Sequence, residues 1–205
     1  ARFAEGQPDR VPGLVAEVIR LKVDVLVVGA NTAALAAKKA TATVPIVFGG
    51  VADPVGAGIV PSLARPGGNI TGISMALEDR FAGKWLELLK EAVPTMSHAA
   101  AIVNRANPAS SIVAAYVKEL HTAARVLNVR LDVIGVVAGN LTQLDEAFAA
   151  IGASGAQGVI VTADPFFFTH RARIVRHGAS KPLPGMYWAS AIVDDGGLNA
   201  YGPSL

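Results

Sequence analysis

The chain has 205 residues, 52% of them hydrophobic, with a formal net charge of +2 and a mean hydropathy of +0.43. That is enough apolar material for one large core or two modest ones, and its short apolar runs, broken by Gly, Pro or charge, exclude a helix of the roughly 20 residues needed to cross a bilayer. Lys and Arg are scattered among acids, so no nucleic-acid partner is expected despite a pI near 9.1, and the lack of cysteine excludes disulfides, thiolate metal sites and cysteine nucleophiles.

In chain order, helix and strand patterns alternate. Pro12 opens a helix with Leu14, Val15, Val18, Ile19 and Leu21 at helical spacing, followed by a buried strand from Val23 to Val28. A helix placed first implies a preceding strand, so the sequence is expected to begin partway into a lobe. Next come a helix over Ala33–Thr41, a strand over Val44–Phe48, a short helix over Pro54–Leu63, the turn Arg65-Pro66-Gly67-Gly68-Asn69 and a strand over Ile70–Ser74. This is a first α/β unit.

The pattern then restarts. A helix over Glu78–Val93 presents Phe81, Trp85, Leu88, Leu89 and Ala92. A strand over Ala99–Val103 leads to a helix over Pro108–Leu127 with Tyr116 on its inner face, and a strand over Val129–Val137 leads to a helix capped by Asn140 with Gln143 in the capping-box position. A strand over Gly158–Thr162 precedes a helix over Pro165–His177, and a strand over Leu183–Tyr187 precedes a short helix from Ala189. A last strand over Gly197–Tyr201 is expected to return to the first lobe. The expected division is 1–76 for lobe 1, 77–194 for lobe 2 and 195–205 for the return, with hinges near Ser74–Glu78 and Asp194–Gly197.

At three points a strand runs into a polar residue and proline: Asp53-Pro54, Asn107-Pro108 and Asp164-Pro165. Each reads as a helix N-cap with proline at the first helical position. Gly29-Ala30-Asn31-Thr32 forms a fourth strand-to-helix turn. All lie at the carboxyl ends of strands, where an open α/β sheet binds ligands. If the second sheet has the order 2-1-3-4, its switch point selects the loops Asn104–Asn107 and Asp164-Pro165, and leaves Asn140 as a cap only. The matching loops of lobe 1 carry Asn31-Thr32 and Ala52-Asp53.

Their chemistry suits a zwitterion clamped between two lobes. Thr32 offers a hydroxyl beside helix N-terminal amides for a carboxylate, Asp53 and Asp164 offer charge to an ammonium, and the asparagines both donate and accept. Tyr187, Trp188 and Phe166 stand beside strand ends where aromatic faces can cover an apolar body. The profile favours an amino acid, a large side chain being one option. Each of these turns taken alone is equally well explained as an ordinary helix cap.

Other features carry less. Phe166-Phe167-Phe168 covers three sides of a helix, so one or two rings belong to the core. His98, His121, His170 and His177 lack metal spacing, and Arg171, Arg173 and Arg176 read as a solvated face, so neither metal nor cofactor is expected. Gly56-Ala57-Gly58 lacks the third glycine of a dinucleotide fingerprint, Pro61 standing in its place. Gly72-Ile73-Ser74-Met75-Ala76 resembles a nucleophile elbow without its final glycine, and no His-acid pair is placed beside Ser74, so no catalytic residue is assigned.

The stretches Arg20-Leu21-Lys22-Val23-Asp24-Val25, Val44-Pro45-Ile46-Val47-Phe48, Asp53-Pro54-Val55-Gly56, Ser62-Leu63-Ala64-Arg65-Pro66-Gly67-Gly68-Asn69-Ile70-Thr71-Gly72, Leu86-Glu87-Leu88-Leu89-Lys90-Glu91 and Gly197-Leu198-Asn199-Ala200-Tyr201-Gly202-Pro203-Ser204 resemble the tryptophan/tyrosine-type substrate-binding proteins of bacterial ABC transporters. The likeness covers essentially the whole chain, and Leu-Ala-Arg-Pro-Gly-Gly-Asn is its most specific piece. It implies two doubly wound parallel-sheet lobes of the type I periplasmic-binding fold, a protein exported to the periplasm or lipid-anchored at the outer face of the cytoplasmic membrane, and a membrane permease as partner. It implies a ligand cleft lined by Asn31, Thr32, Ala52, Asp53, Asn104 to Asn107, Asp164 and Tyr187 to Ser190. It also implies further sequence: a strand-helix-strand region and a signal before Ala1, and a helix and strand after Leu205. Two rival readings are the effector-sensing half of a transcription regulator and a two-lobed enzyme; the first needs a helix-turn-helix upstream, the second a pair of acid-base groups in opposed environments.

Overall fold

In the computed structural model, residues 1–5, 7–74, 81–107, 110–180 and 183–202 are described. The prolines expected to open the helix after Asn107 and to end the chain near Gly202, the first residues of the helix expected from Glu78, and the hinge expected beyond Ser74 lie outside them. Contacts divide the chain into two units, Ala1–Glu78 with Pro108–Ile112, and Asp79–Asn107 with Val113–Leu205.

Unit 1 begins with a 3-10 turn at Pro8–Arg10 and helix α1 (Val11–Arg20). Strand β1 (Leu26–Val28), helix α2 (Asn31–Ala40), strand β2 (Ile46–Val51) and strand β3 (Ile70–Ser74) follow. The three strands are parallel in the order β1-β2-β3. Val15 of α1 and Ala34 and Ala37 of α2 are buried with Leu26, Val28, Ile46, Phe48 and Ile70, and Val18 and Ile19 pack against that core. The apolar spacing of α1 is thus explained. The buried strand expected over Val23–Val28 is shorter and one-sided: Val27 is 74% exposed. Gly50, at φ +66, lets β2 shift register against β3 between Phe48 and Val51.

The short helix expected over Pro54–Leu63 is absent, and a turn stands there instead. Asp53 takes φ +44, and its carboxylate accepts the Gly56 N–H at 2.8 Å. That side-chain turn closes the backbone onto itself, and Gly56, Gly58 and Pro61 supply no helix-forming side chains beyond it. Ile59 and Val60 still reach the core. In the Arg-Pro-Gly-Gly-Asn turn, Gly67 and Gly68 both have positive φ, and the Asn69 side chain donates to the carbonyls of Thr41 and Val44 at 3.2 and 2.7 Å.

Unit 2 contains α3 (Phe81–Ala92), β4 (His98–Asn104), α4 (Ser110–Val126), β5 (Arg130–Val136), α5 (Leu141–Ser154), β6 (Val159–Val161), α6 (Pro165–Thr169), α7 (Arg171–Ser180), β7 (Gly185–Tyr187), α8 (Ser190–Asp194) and β8 (Asn199–Ala200). The sheet is parallel throughout, in the order β5-β4-β6-β7-β8. Its first four strands have the expected 2-1-3-4 arrangement. Strand β4 is buried along its whole length, as the central strand of a parallel sheet should be.

Two expectations fail here. The helix expected from Pro165 to His177 breaks at His170, whose φ of −104° and ψ of 20° leave the helical basin, giving α6 and α7. The segment Asn199–Ala200, expected to return to lobe 1, pairs with β7 in the unit 2 sheet. Its backbone there is held by the Tyr201 N–H donating to the Tyr187 carbonyl at 2.9 Å and by the Trp85 indole donating to the Tyr201 carbonyl at 2.6 Å.

Candidate functional site

In a sheet of order 2-1-3-4 the crevice opens between the first and third strands, here β4 and β6. The structure fastens their loops together. Asn104, at the last position of β4, donates from Nδ2 to Asp164 Oδ2 at 2.9 Å, and Asn107 donates to the same oxygen at 2.7 Å. Asp164 Oδ1 accepts the Phe166 N–H at 2.8 Å, so Asp164 is also the N-cap of α6. Asn104 Oδ1 accepts from the N–H groups of Ala106 and Ala138, at 3.0 and 3.2 Å. One asparagine therefore joins the loops after β4, β5 and β6.

Asp164 is 4% exposed. Desolvation raises its pKa above the ordinary carboxylate value, and the hydrogen bonds from Asn104, Phe166 and Asn107 oppose that rise. Three donors on two oxygens leave room for about one more. Tyr116 on α4 is buried, and its phenol pKa is pushed far up by burial, with the charges of Glu119 and Asp164 adding to it. The phenol stays protonated. No motif marked this tyrosine, which reads in the sequence only as a core position.

Asn140 is a cap, as expected, accepting the Gln143 N–H at 3.0 Å. The Gln143 side chain reaches back three residues past the cap of a capping box, accepting the Val137 N–H at 3.0 Å.

The aromatic residues beside β7 divide. Tyr187 turns back along its strand: a Cβ on Gly185 would stand 2.3 Å from its hydroxyl, and one on Gly197 2.9 Å from its ring. It packs into the sheet face, where burial raises its pKa to about 12. Trp188 is also buried, its ring 5.6 Å from that of Phe168, over which the Arg171 guanidinium sits at 4.9 Å. Phe166 and Phe167 are core residues.

In unit 1 the side chain of Asn31 spans to the loop after β2. It donates to the Ala52 carbonyl at 2.8 Å and accepts the Ala52 N–H at 3.1 Å. About half of its hydrogen-bonding capacity goes into that join. Helix α2 starts at Asn31, two residues earlier than the apolar pattern suggests, with Ala30 as N-cap and no side chain to accept its first-turn N–H groups. Thr32 lies in that first turn, half-buried, and makes no side-chain hydrogen bond among the described residues. Asp53 is a turn residue rather than a helix cap, and its carboxylate is engaged by Gly56.

Of the arginines of α7 expected on a solvated face, Arg176 is exposed, whereas Arg171 and Arg173 are half-buried and paired. Arg173 makes a two-pronged contact with Asp145 of α5, and His177 Nε2 lies 2.7 Å from the same carboxylate. Arg171 pairs with Asp195 at 2.8 Å. No grouping of His, Cys, Asp or Glu able to hold a metal occurs among the described residues.

Comparison with known proteins fits this architecture. The profile of the family described as ABC transporter substrate binding protein matches residues 2–204. The chain belongs to that family. A tyrosine-binding protein of Clostridioides difficile (strain R20291) is 33% identical to it over 122 residues, 60% of this chain and 34% of that protein. A conserved domain protein of Vibrio cholerae O1 biovar El Tor superposes with a TM-score of 0.83 at 25% identity, over 97% of this chain and 64% of that one. A Streptococcus pneumoniae ABC domain solved with L-Trp gives 0.80 at 24% identity, over 95% of this chain and 63% of that one. The fold is α/β with parallel sheets, of the type I periplasmic-binding class. The chain spans less than two thirds of these solved chains.

Proposed function

We propose that this family member is the solute-binding component of a bacterial ABC importer, holding a small ligand between two lobes and presenting it to a membrane permease. The proposed location is the periplasm or the outer face of the cytoplasmic membrane. The proposed ligand is an amino acid, with an aromatic side chain as the leading class, and no bond is made or broken. The observation that carries this reading is the pair of prepared strand ends. In unit 1 the uncapped first turn of α2 and the Thr32 hydroxyl suit a carboxylate. In unit 2 the Asp164 carboxylate, fixed by Asn104 and Asn107, keeps capacity for an ammonium proton.

In this proposal Asn31 and Ala52 hold Thr32 in place, Asp53 shapes the neighbouring turn, and Trp188 bounds the ligand body; Tyr187 supports it from behind. A ligand that touches both lobes adds contacts only in the closed arrangement, so it shifts the equilibrium by its differential affinity, and the permease reads the closed shape.

Thermal-shift screening against the amino acids, aromatic acids and small dicarboxylates tests the reading. Stabilisation by amino acids is expected. Stabilisation by aromatic acids lacking an amine, with none from amino acids, rejects the amino-acid ligand, and no stabilisation by any of the three classes rejects the solute-binding role in this form.

A further inference from the structure

Three polar side-chain atoms of unit 2 are buried without a hydrogen bond among the described residues. One, Arg171 Nε, has its ion pair with Asp195, which leaves two neutral groups unmet, the Tyr116 hydroxyl and the Trp188 indole nitrogen. Tyr116 is 4% exposed and Trp188 6%. Buried donors are nearly always paired, because leaving one unmet forfeits the hydrogen bond it had with water. The other tryptophan of the chain is instructive: Trp85 is fully buried and spends its N–H on the Tyr201 carbonyl at 2.6 Å. The unmet pair stands out against it.

Both unmet groups belong to the carboxyl edge of one sheet. Tyr116 lies in the second turn of α4, directly after β4, and Trp188 is the residue after β7. The Tyr116 ring packs 5.3 Å from that of Trp85, which is bonded to Tyr201, and Tyr201 is bonded to Tyr187, the neighbour of Trp188. The two residues are thus linked through Trp85 and the backbone of Tyr201 and Tyr187. Asp164, whose charge Tyr116 feels, already takes bonds from Asn104, Asn107 and Phe166 and makes none with Tyr116.

What these two groups lack is an acceptor. An indole N–H can only donate, and a phenol held protonated donates most strongly to an oxygen. The Tyr116 oxygen can also accept, but the Trp188 indole N–H cannot, so an ammonium group leaves the indole unmet, and a bare hydrocarbon ring leaves both unmet. We propose that Tyr116 and Trp188 donate to an oxygen acceptor on the solute, so that the preferred ligands carry a phenolic or carboxylate oxygen within reach of these two donors. This rests on the solute-binding reading and deepens it: aromatic faces from Phe168 and Trp188 cover the ring, and the two donors select its substituent.

The test uses Tyr116→Phe and Trp188→Phe in the full chain. Without ligand, Tyr116→Phe is expected to melt at or above the wild-type temperature, since no bond within the protein is lost; melting several degrees lower shows that the hydroxyl is already paired and overturns the proposal whatever the ligand. With ligand, calorimetric titration compares L-tyrosine with L-phenylalanine, and 4-hydroxybenzoate with benzoate. A phenolic acceptor predicts that the hydroxylated member of each pair binds about tenfold tighter, a preference reduced to near parity by either variant. A carboxylate acceptor predicts equal binding within the benzoate pair and about a tenfold loss for both in either variant. Binding to the wild type that neither variant changes overturns this proposal and leaves the solute-binding reading standing. Failure of all four to bind, while other amino acids do, overturns it as well; failure of every solute class overturns both.

Discussion

The Nδ2 atom of Asn104 lies 2.9 Å from Asp164 Oδ2 and donates to it across 60 residues of sequence. Because Asn104 Oδ1 also accepts from Ala106 and Ala138, Asn104→Ala leaves two backbone N–H groups and one carboxylate oxygen short of partners. The expected loss is about 2–3 kcal/mol, read from urea denaturation. Asn104→Asp should lose at least as much at neutral pH, because it sets a second carboxylate against Asp164, and should recover part of the loss in acid. A variant as stable as wild type at pH 7 would mean that the three loops do not depend on this side chain.

Asp164 gives stability an unusual pH dependence. Its folded pKa is raised above the ordinary 3.8 by desolvation. Between the two values the folded chain holds more protons than the unfolded one, so stability falls as pH rises through that window and levels off above the folded value. The contribution is present below the unfolded pKa and lost above the folded one. Asp164→Asn abolishes this slope. The variant should also be less stable at every pH, since its NH2 group must face either the Phe166 N–H or the two carboxamide donors. Urea midpoints across roughly pH 3.5 to 6, wild type minus variant, report the difference; a difference that does not change with pH would refute the assignment.

Much of unit 2 was legible in the sequence because β4, β6 and β7 are buried throughout and α5 and α6 open on recognisable caps. The alternation of apolar runs located every strand along the chain, with Gly197–Tyr201 assigned to the other lobe, and Asn140 and Asp164 announced their helices. The failures have local causes. Asp53-Pro54 has the signature of a helix start, and Asp53 does accept the Gly56 N–H as a cap would, yet the positive φ of Asp53 and the glycines at 56 and 58 leave a turn in place of a helix. His170 sits inside a helical pattern that its own backbone breaks. The last strand went to the nearer sheet because Trp85 and Tyr187 hold its backbone, a long-range choice that periodicity cannot encode. Tyr116 and Ala138 belong to the candidate site through contacts between elements, and nothing in their own segments marks them.

Asn31, expected as a ligand contact, makes a bidentate bond to the Ala52 backbone. Asn31→Ala frees an amide and a carbonyl in a partly buried loop, with an expected cost of about 1–3 kcal/mol. Asn31→Asp retains the bond from the Ala52 N–H and sets a carboxylate against the carbonyl, so it should recover little. Denaturation curves followed by far-UV circular dichroism measure both. Loss of solute binding by Asn31→Ala with no loss of stability would return Asn31 to the ligand-contact role.

The α5–α7 clasp behaves in the opposite sense to Asp164. Hydrogen bonds from Arg173 and then His177 hold the Asp145 carboxyl well below the usual carboxylate range. Its contribution to stability is therefore complete above the unfolded pKa of 3.8 and lost as pH falls towards the folded value. The groups are part-exposed, with 33% of the Asp145 side chain and 40% of the Arg173 side chain accessible, so salt screens them. Asp145→Asn should flatten the acid limb of the stability curve and reduce its sensitivity to salt. Melting temperatures at low and high ionic strength, taken on both sides of the carboxylate range, decide the point.

Two strand glycines separate backbone obstruction from side-chain obstruction. A Cβ on Gly72 of β3 would stand 2.0 Å from the Phe48 carbonyl oxygen and 2.6 Å from its ring, inside a paired parallel ladder that cannot yield. A Cβ on Gly135 of β5 would meet the Arg105 side chain, at 1.7 Å from Nε. Arg105 is exposed and can swing clear. Gly72→Ala is therefore expected to destabilise by about 1–3 kcal/mol or more, and Gly135→Ala to stay within about 0.5 kcal/mol of wild type. The comparison is made on the two variants in parallel by urea denaturation. Equal effects would show that the β2–β3 ladder can give way, and with it the placement of the Ala52–Asp53 turn that Asn31 holds.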